Sequence, residues 1–134
     1  MKYALIGCGR IATNHVTAAV NNNLEIVAEK MEAILEKHNL ADDKSIKRYT
    51  DYKKMLEEND LELVSIATES GKHAAIALDA IDAGVNVIIE KPMAMNMADA
   101  EEIIKRAAEK HVKVSACHQN RFNVAIQEVR KAIE

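Results

Sequence analysis

The sequence predicts a doubly wound α/β domain: a parallel sheet of about six strands with helices on both faces. Three observations carry this. Short apolar runs recur along the 134 residues, segments with apolar residues at helical spacing separate them, and a glycine turn directly follows the first run. Parallel neighbours need crossovers, and right-handed crossovers put helices on both faces of the sheet.

The strands are expected at "KYALI" (2–6), "LEIVA" (24–28), a weak "IKRY" (46–49), "LELVSIAT" (61–68), "VNVII" (85–89) and "VKVSAC" (112–117). Between the fourth and fifth, Ile76, Ala77, Ala80, Ile81 and Ala83 recur at helical spacing; before the sixth, Ile103, Ile104, Ala107 and Ala108 do the same. Ser70 is expected to cap the first of these helices and Gly84 to supply its left-handed C′ residue, while Asn96 caps the second with Asp99 in its first turn. Val124, Ile126, Val129 and Ile133 mark a last helix that stops without a C-cap glycine or polar tail, so a continuation is expected. No repeat or linker divides the chain, and residues 1–134 read as one domain.

Composition narrows the partners. With 49% hydrophobic and 29% charged residues the chain is an ordinary folded one, and its net charge of −3, with both signs interleaved, offers no field for nucleic acid. Cys8 and Cys117 are far apart and match neither a disulfide framework nor a zinc spacing, so no metal is expected and a reducing compartment fits. The amino terminus is too short in apolar residues for a secretory signal, and no run approaches the ~18 residues of a membrane span, so a cytoplasmic location is expected.

In "IGCGRIA", Gly7, Gly9 and Ala12 form a G-x-G-x-x-A turn between a strand and a helix. Gly7 would allow the tight turn, Gly9 would let the backbone approach a pyrophosphate, and Ala12 would let helix and strand pack closely. The helix's free N–H groups and positive dipole end would face the phosphates. A ligand-free strand–helix junction is the plainer alternative, and Cys8 reads as a small turn residue because no base accompanies it. An acidic side chain for the adenosine ribose is expected ~20 residues on. Glu29 stands there, although Lys30 follows at once and a solvated Glu on a helix's first turn is an equal reading. No arginine follows this strand to take a 2′-phosphate, which favours NAD and leaves NADP open.

"VNVIIEKPMAM" sets Glu90, Lys91 and Pro92 at the carboxyl end of a strand, the edge where such sheets bind ligands. Pro92 disfavours the α region at Lys91, so the strand is expected to run through Lys91. Burial or a nearby cation would bring its ammonium toward acid–base work. A solvated Glu-Lys pair is the simpler local reading.

Together "IGCGRIA", "VSIATESGKHAAIALDAIDAGVNVIIEKPMAM" and "VSACHQNRFN" resemble the amino-terminal, Rossmann-type NAD(P)-binding domain of the Gfo/Idh/MocA oxidoreductases over essentially the whole chain. "IATESGKHA", "EKPMAM" and "CHQNRFN" are similar to the branch that oxidises the 3-hydroxyl of UDP-N-acetylglucosaminuronic acid.

The resemblance implies that Gly7, Gly9, Arg10 and Ile11 line the pyrophosphate, that Thr68 and His73 flank the cofactor, and that Glu90 reaches the nicotinamide ribose. Lys91 is then the catalytic residue, holding the sugar hydroxyl and helping to move its proton while the sugar's C–H delivers hydride to the nicotinamide. Gln119 falls on the cofactor side, and Asn120 and Arg121 on the substrate side; read locally, they are equally a helix cap and a solvated base. His118 reads as a packed strand-end residue, and His15, His38 and His111 as surface residues.

Against the resemblance, two departures are expected: the second strand lacks the "V-C-D"-like segment of relatives, through a shortened turn or through residues missing from this sequence, and the relatives' C-terminal α+β substrate domain, with its Asp-x-x-x-His pair and subunit interface, is expected to lie outside these 134 residues. The expectation is therefore the NAD(P)-binding part of a sugar or sugar-nucleotide dehydrogenase, inactive alone and homo-oligomeric at full length. The alternative is a non-catalytic nucleotide-binding or regulatory module.

Overall fold

The computed structural model describes residues 1–7, 9–29 and 32–134, apart from the side chains of 28–29 and 32–34. In chain order the elements are β1 (Lys2–Ile6), α1 (Ala12–Asn21), β2 (Glu25–Glu29), α2 (Glu32–Lys37), β3 (Arg48–Tyr49), α3 (Tyr52–Glu58), β4 (Leu63–Ile66), α4 (His73–Asp82), β5 (Asn86–Ile89), α5 (Met97–Lys110), β6 (Val114–Ala116) and α6 (Val124–Ile133). All strand pairings are parallel and the order is β3-β2-β1-β4-β5-β6. The doubly wound arrangement expected from the sequence is the one observed, and the reversal of strand order falls between β1 and β4.

Alternation along the strands sorts side chains into two cores. Ala4 and Ile6 of β1, Val64 and Ile66 of β4, and Val87 and Ile89 of β5 point to one face and meet Met55 of α3, Ile76, Ala77, Ala80 and Ile81 of α4, and Ile103 and Ala107 of α5. Tyr3 and Leu5 of β1, with Ile26 of β2, point to the other face and meet Ala12, Val16 and Ala19 of α1 and Leu35 of α2. Burying each large aliphatic side chain contributes roughly 1.5–3 kcal/mol, so these contacts dominate the domain's stability.

The helix ends repeat the sequence's punctuation with one exception. Asn96 accepts from the Asp99 N–H at 2.9 Å, capping α5. Gly84 follows α4 at φ +78° and donates to Ile81, with Val85 donating to Ala80, which closes the helix as a left-handed C′ residue should. Ser70 does not cap α4: residues Ser70–Lys72 form a 3₁₀ turn and α4 starts at His73. The turn arises because the His73 ring is drawn inward, as described below.

Every residue of α6 is exposed, including Val124 (72%) and Ile133 (81%). The apolar positions noted in the sequence do form a helix, but one that stands off the β6 edge. Among the described residues no helix is long and apolar enough to cross a membrane.

Candidate functional site

Four chain segments leave the carboxyl ends of neighbouring strands at one edge of the sheet: the glycine turn after β1, Ala67–Thr68 after β4, Glu90–Lys91 after β5 and Cys117–His118 after β6. Hydrogen bonds carry the ladder one residue past each strand, with Ala67 N–H donating to Ile6, Glu90 to Ile66 and Cys117 to Ile89 at 2.8–3.0 Å. The switch point of the sheet thus lies in the middle of this edge, where open α/β sheets bind ligands.

Gly7 has φ +98°, and a Cβ built on it would sit 2.6–2.7 Å from the backbone of Ala67 and Thr68. The turn is therefore shaped by β4 as much as by its own sequence. Gly9 is exposed, and a Cβ there would meet only the Ala67 carbonyl at 3.7 Å, so its outer side is open. Arg10 is exposed and Ile11 half-buried. No side chain caps α1, whose N-terminal residue Ile11 carries no hydroxyl, amide or carboxylate to do so. The Ala12 and Asn14 N–H groups bond the Gly9 and Ile11 carbonyls at 3.0 and 2.9 Å, so the helix starts on its own backbone while the outer side of Gly9 stays clear. Cys8 lies outside the described residues. Glu29 is the last residue of β2, paired with Tyr49, rather than the first of a helix; its side chain lies outside the described residues.

His73 is 1% exposed; Nε2 faces the Thr68 carbonyl at 3.1 Å and Nδ1 the Pro92 carbonyl at 2.8 Å. The ring ties the loop after β4 to the loop after β5, and as a neutral imidazole it can donate to only one of the two carbonyls. Thr68 is half-buried and borders a cleft of about 300 Å³ with Ile6, Tyr52 and Lys72.

β5 ends at Ile89, short of the expected run through Lys91, because the ladder's last bond comes from the Glu90 N–H to the Ile66 carbonyl. Lys91 is exposed, and its ammonium makes no hydrogen bond or ion pair among the described residues. Glu90 is buried, at 6% exposure. Its Oε1 lies 3.0 Å from His15 Nε2 and its Oε2 accepts the Lys91 N–H at 3.3 Å. Burial would push the Glu90 carboxyl up; hydrogen bonds from His15 and Cys117, the charge of His15 and the Lys91 N–H together outweigh it and hold the group below the usual carboxylate range. The Cys117 thiol moves the other way, raised by burial and by the hydrogen bond and charge of Glu90, with Lys91 opposing.

Two histidines differ from their expected places. His15 is no surface residue: its side chain is 10% exposed because Glu90 draws it in. Its spacing of three from Ala12 and four from Ala19 places it on the buried stripe of α1, a signal the sequence did contain. His118 is exposed rather than packed, since the chain turns away after Ala116 into the 3₁₀ turn Gln119–Phe122. Gln119, Asn120 and Arg121 are exposed on that turn. Arg121 lines a cleft of about 700 Å³ with Ser115, His118, Phe122 and Ile126, a cleft that includes neither Lys91 nor the glycine turn.

The family model described as "Oxidoreductase family, NAD-binding Rossmann fold" matches residues 1–118. UDP-N-acetylglucosamine 3-dehydrogenase of Acidithiobacillus ferrooxidans is 31% identical over 134 residues, 98% of this chain and 41% of that protein. Inositol 2-dehydrogenase of Salmonella typhimurium is 30% identical over 113 residues, 78% of this chain and 32% of its own. Among solved structures, the WlbA dehydrogenase of Bordetella pertussis, in complex with NADH and UDP-GlcNAcA, superposes with a TM-score of 0.85 at 30% identity, over 99% of this chain and 40% of that one. The chain thus spans about 32–41% of the length of these relatives.

Proposed function

The chain belongs to the Gfo/Idh/MocA oxidoreductase family with its NAD-binding Rossmann fold, and we propose that it is the nicotinamide-dinucleotide-binding part of a dehydrogenase that oxidises a hydroxyl of a sugar or sugar nucleotide. The observation that carries this reading is the adjacency of two features on one sheet edge. The glycine turn after β1 and the exposed Lys91 after β5 leave the same carboxyl edge on either side of β4, and the Lys91 ammonium has no ion pair or hydrogen bond among the described residues.

Gly7, Gly9, Arg10 and Ile11 would hold the pyrophosphate, with backbone donors and the helix dipole facing its charge. Glu29 would take the adenosine ribose hydroxyls, which favours NAD over NADP, and Gln119 would lie on the cofactor side. Thr68 would border the dinucleotide; His73, whose ring nitrogens face one carbonyl in each flanking loop and which donates to one of them, would serve by tying the loops together. Bound there, the nicotinamide supplies the hydride acceptor.

Lys91 would hold the substrate hydroxyl and, as the neutral amine, take up its proton while the carbon's hydride passes to the nicotinamide; proton transfer by a placed side chain contributes ~10²–10⁴ in rate. Orientation of hydroxyl and carbon by Lys91 would add the proximity term; Asn120 and Arg121, exposed on the turn after β6 and outside a cleft shared with Lys91, would act on the substrate only from farther out. The substrate class follows the relatives above, one of which carries UDP-GlcNAcA in its complex. Titrating the 134-residue chain with NADH and following its fluorescence tests the cofactor half; saturable binding lost in Gly9→Ala supports it, and absence of binding in the unaltered chain removes it.

A further inference from the structure

His15 stands one turn into α1, the helix that opens on the glycine turn; Glu90 stands one residue before Lys91. Seventy-five positions separate them, yet their side chains meet at 3.0 Å with 10% and 8% exposure. We propose that His15 is a positioning residue: through Glu90 it braces the Lys91 segment against the glycine-turn helix, holding cradle and lysine in one register. That the braced edge is functional rests on the dehydrogenase reading above; the brace itself is a claim about this chain alone.

The geometry argues for a brace rather than an incidental contact. Glu90 is fixed through its N–H to the Ile66 carbonyl of β4, through Oε1 to His15 of α1, and through Oε2 to the Lys91 N–H. The Cys117 thiol, after β6, lies within 4.8 Å of the same carboxylate. Both carboxylate oxygens are thus engaged, which locks the rotamer and, through it, the backbone on which Lys91 starts. Hydrogen bonds to a charged group are the stronger kind, and more so where water is excluded. Removing the His15 donor would leave a buried carboxylate undercompensated, so the segment would shift or open to recover water. The groups facing Glu90 are His15 from α1, Cys117 from the segment after β6, and the Lys91 N–H from its own segment.

The test uses this chain with its glutamate side chains ¹³C-labelled. The Glu90 carboxyl shift is followed against pH, together with amide hydrogen exchange at Lys91 and titration with NADH. In the unaltered chain Glu90 should titrate below the usual carboxylate range. In His15→Ala it should titrate above that range, Lys91 exchange should rise about tenfold while β1 and β4 amides keep their protection, and NADH binding should weaken about tenfold. His15→Gln, whose amide nitrogen reaches to about the same point, should restore all three in large part; His15→Asn, which stops short, replaces the Ala variant if that one does not fold.

An unmoved Glu90 titration in His15→Ala overturns the brace. So does a rise in exchange shared equally by β1 and β4, which would make His15 a general packing residue. If the unaltered chain fails to bind NADH while Glu90 and Lys91 still respond as described, the dehydrogenase reading falls and the brace stands.

Discussion

Gly7 and Ala67 meet backbone to backbone: a Cβ on the glycine would lie 2.6 Å from both the carbonyl carbon and the carbonyl oxygen of Ala67. Gly7→Ala therefore has to push the end of β4 and also hold φ +98°, and the expected loss is at least ~2 kcal/mol, read as a drop in thermal midpoint. Gly9→Ala meets nothing closer than 3.7 Å and should keep its midpoint while losing NADH affinity. The pair separates a glycine that shapes the turn from one that gives a ligand access.

Lys91 is exposed and takes part in no ion pair or side-chain hydrogen bond among the described residues, so its removal should not disturb the fold. Under the proposed function, Lys91→Ala in an active dehydrogenase that contains this chain is expected to lower kcat by ~10²–10⁴ with NADH binding held within a few-fold. Steady-state kinetics against a direct binding titration checks both halves.

Tyr3 is 2% exposed, and its hydroxyl has no hydrogen bond of acceptable geometry, although Ser65 lies near enough to lower its pKa in part. Burial outweighs Ser65 and pushes the phenol up to about 12. The folded value lies above the unfolded one near ~10, so the neutral phenol favours the fold fully below about pH 10, and that contribution is lost as pH rises through about 12. Urea melts should show this alkaline fall, worth about 3 kcal/mol at most, and Tyr3→Phe should abolish it. At neutral pH the same variant should stay within ~1 kcal/mol of the parent, because no hydrogen bond is broken.

α6 is exposed along its whole length and packs mainly on the 3₁₀ turn before it. Truncation after Asn123 should change the thermal midpoint by no more than the equivalent of ~0.5 kcal/mol, since surface changes away from packed features are worth that little. Retained cooperative melting and retained NADH binding would show that the sheet and its ligand edge do without this helix.

The fold was legible because every strand but the short, polar β3 writes its own apolar run, and helical spacing fills the crossovers. Val64, Ile66, Val87 and Ile89 could be placed in a buried strand by inspection. The limits of legibility fall where a residue's place is decided by a distant partner. His15 reads as one polar residue on an amphipathic helix until Glu90, far along the chain, is brought beside it. Cys117 carries no motif, and its place near Glu90 exists only once β6 lies beside β5. Ser70 has the right chemistry for a cap, but the pull of the Thr68 and Pro92 carbonyls on His73 sets the start of α4 three residues later. β5 was expected to run further than it does because Pro92 constrains Lys91 without revealing where the neighbouring strand stops offering partners.

The pairing of β1 with β4, Tyr3 to Leu63 through Ile6 to Ile66, also fixes an order of events during synthesis. Translation proceeds at roughly 5–20 residues per second, so β4 leaves the ribosome several seconds after β1. For that interval Ala4, Leu5 and Ile6 have a bare flank, and the Gly7 turn lacks the Ala67 wall that defines it. The nascent chain should thus acquire its nucleotide-shaped edge late and abruptly, when β4 docks. An arrested chain ending before residue 63 would be a client for chaperones rather than a small binding unit.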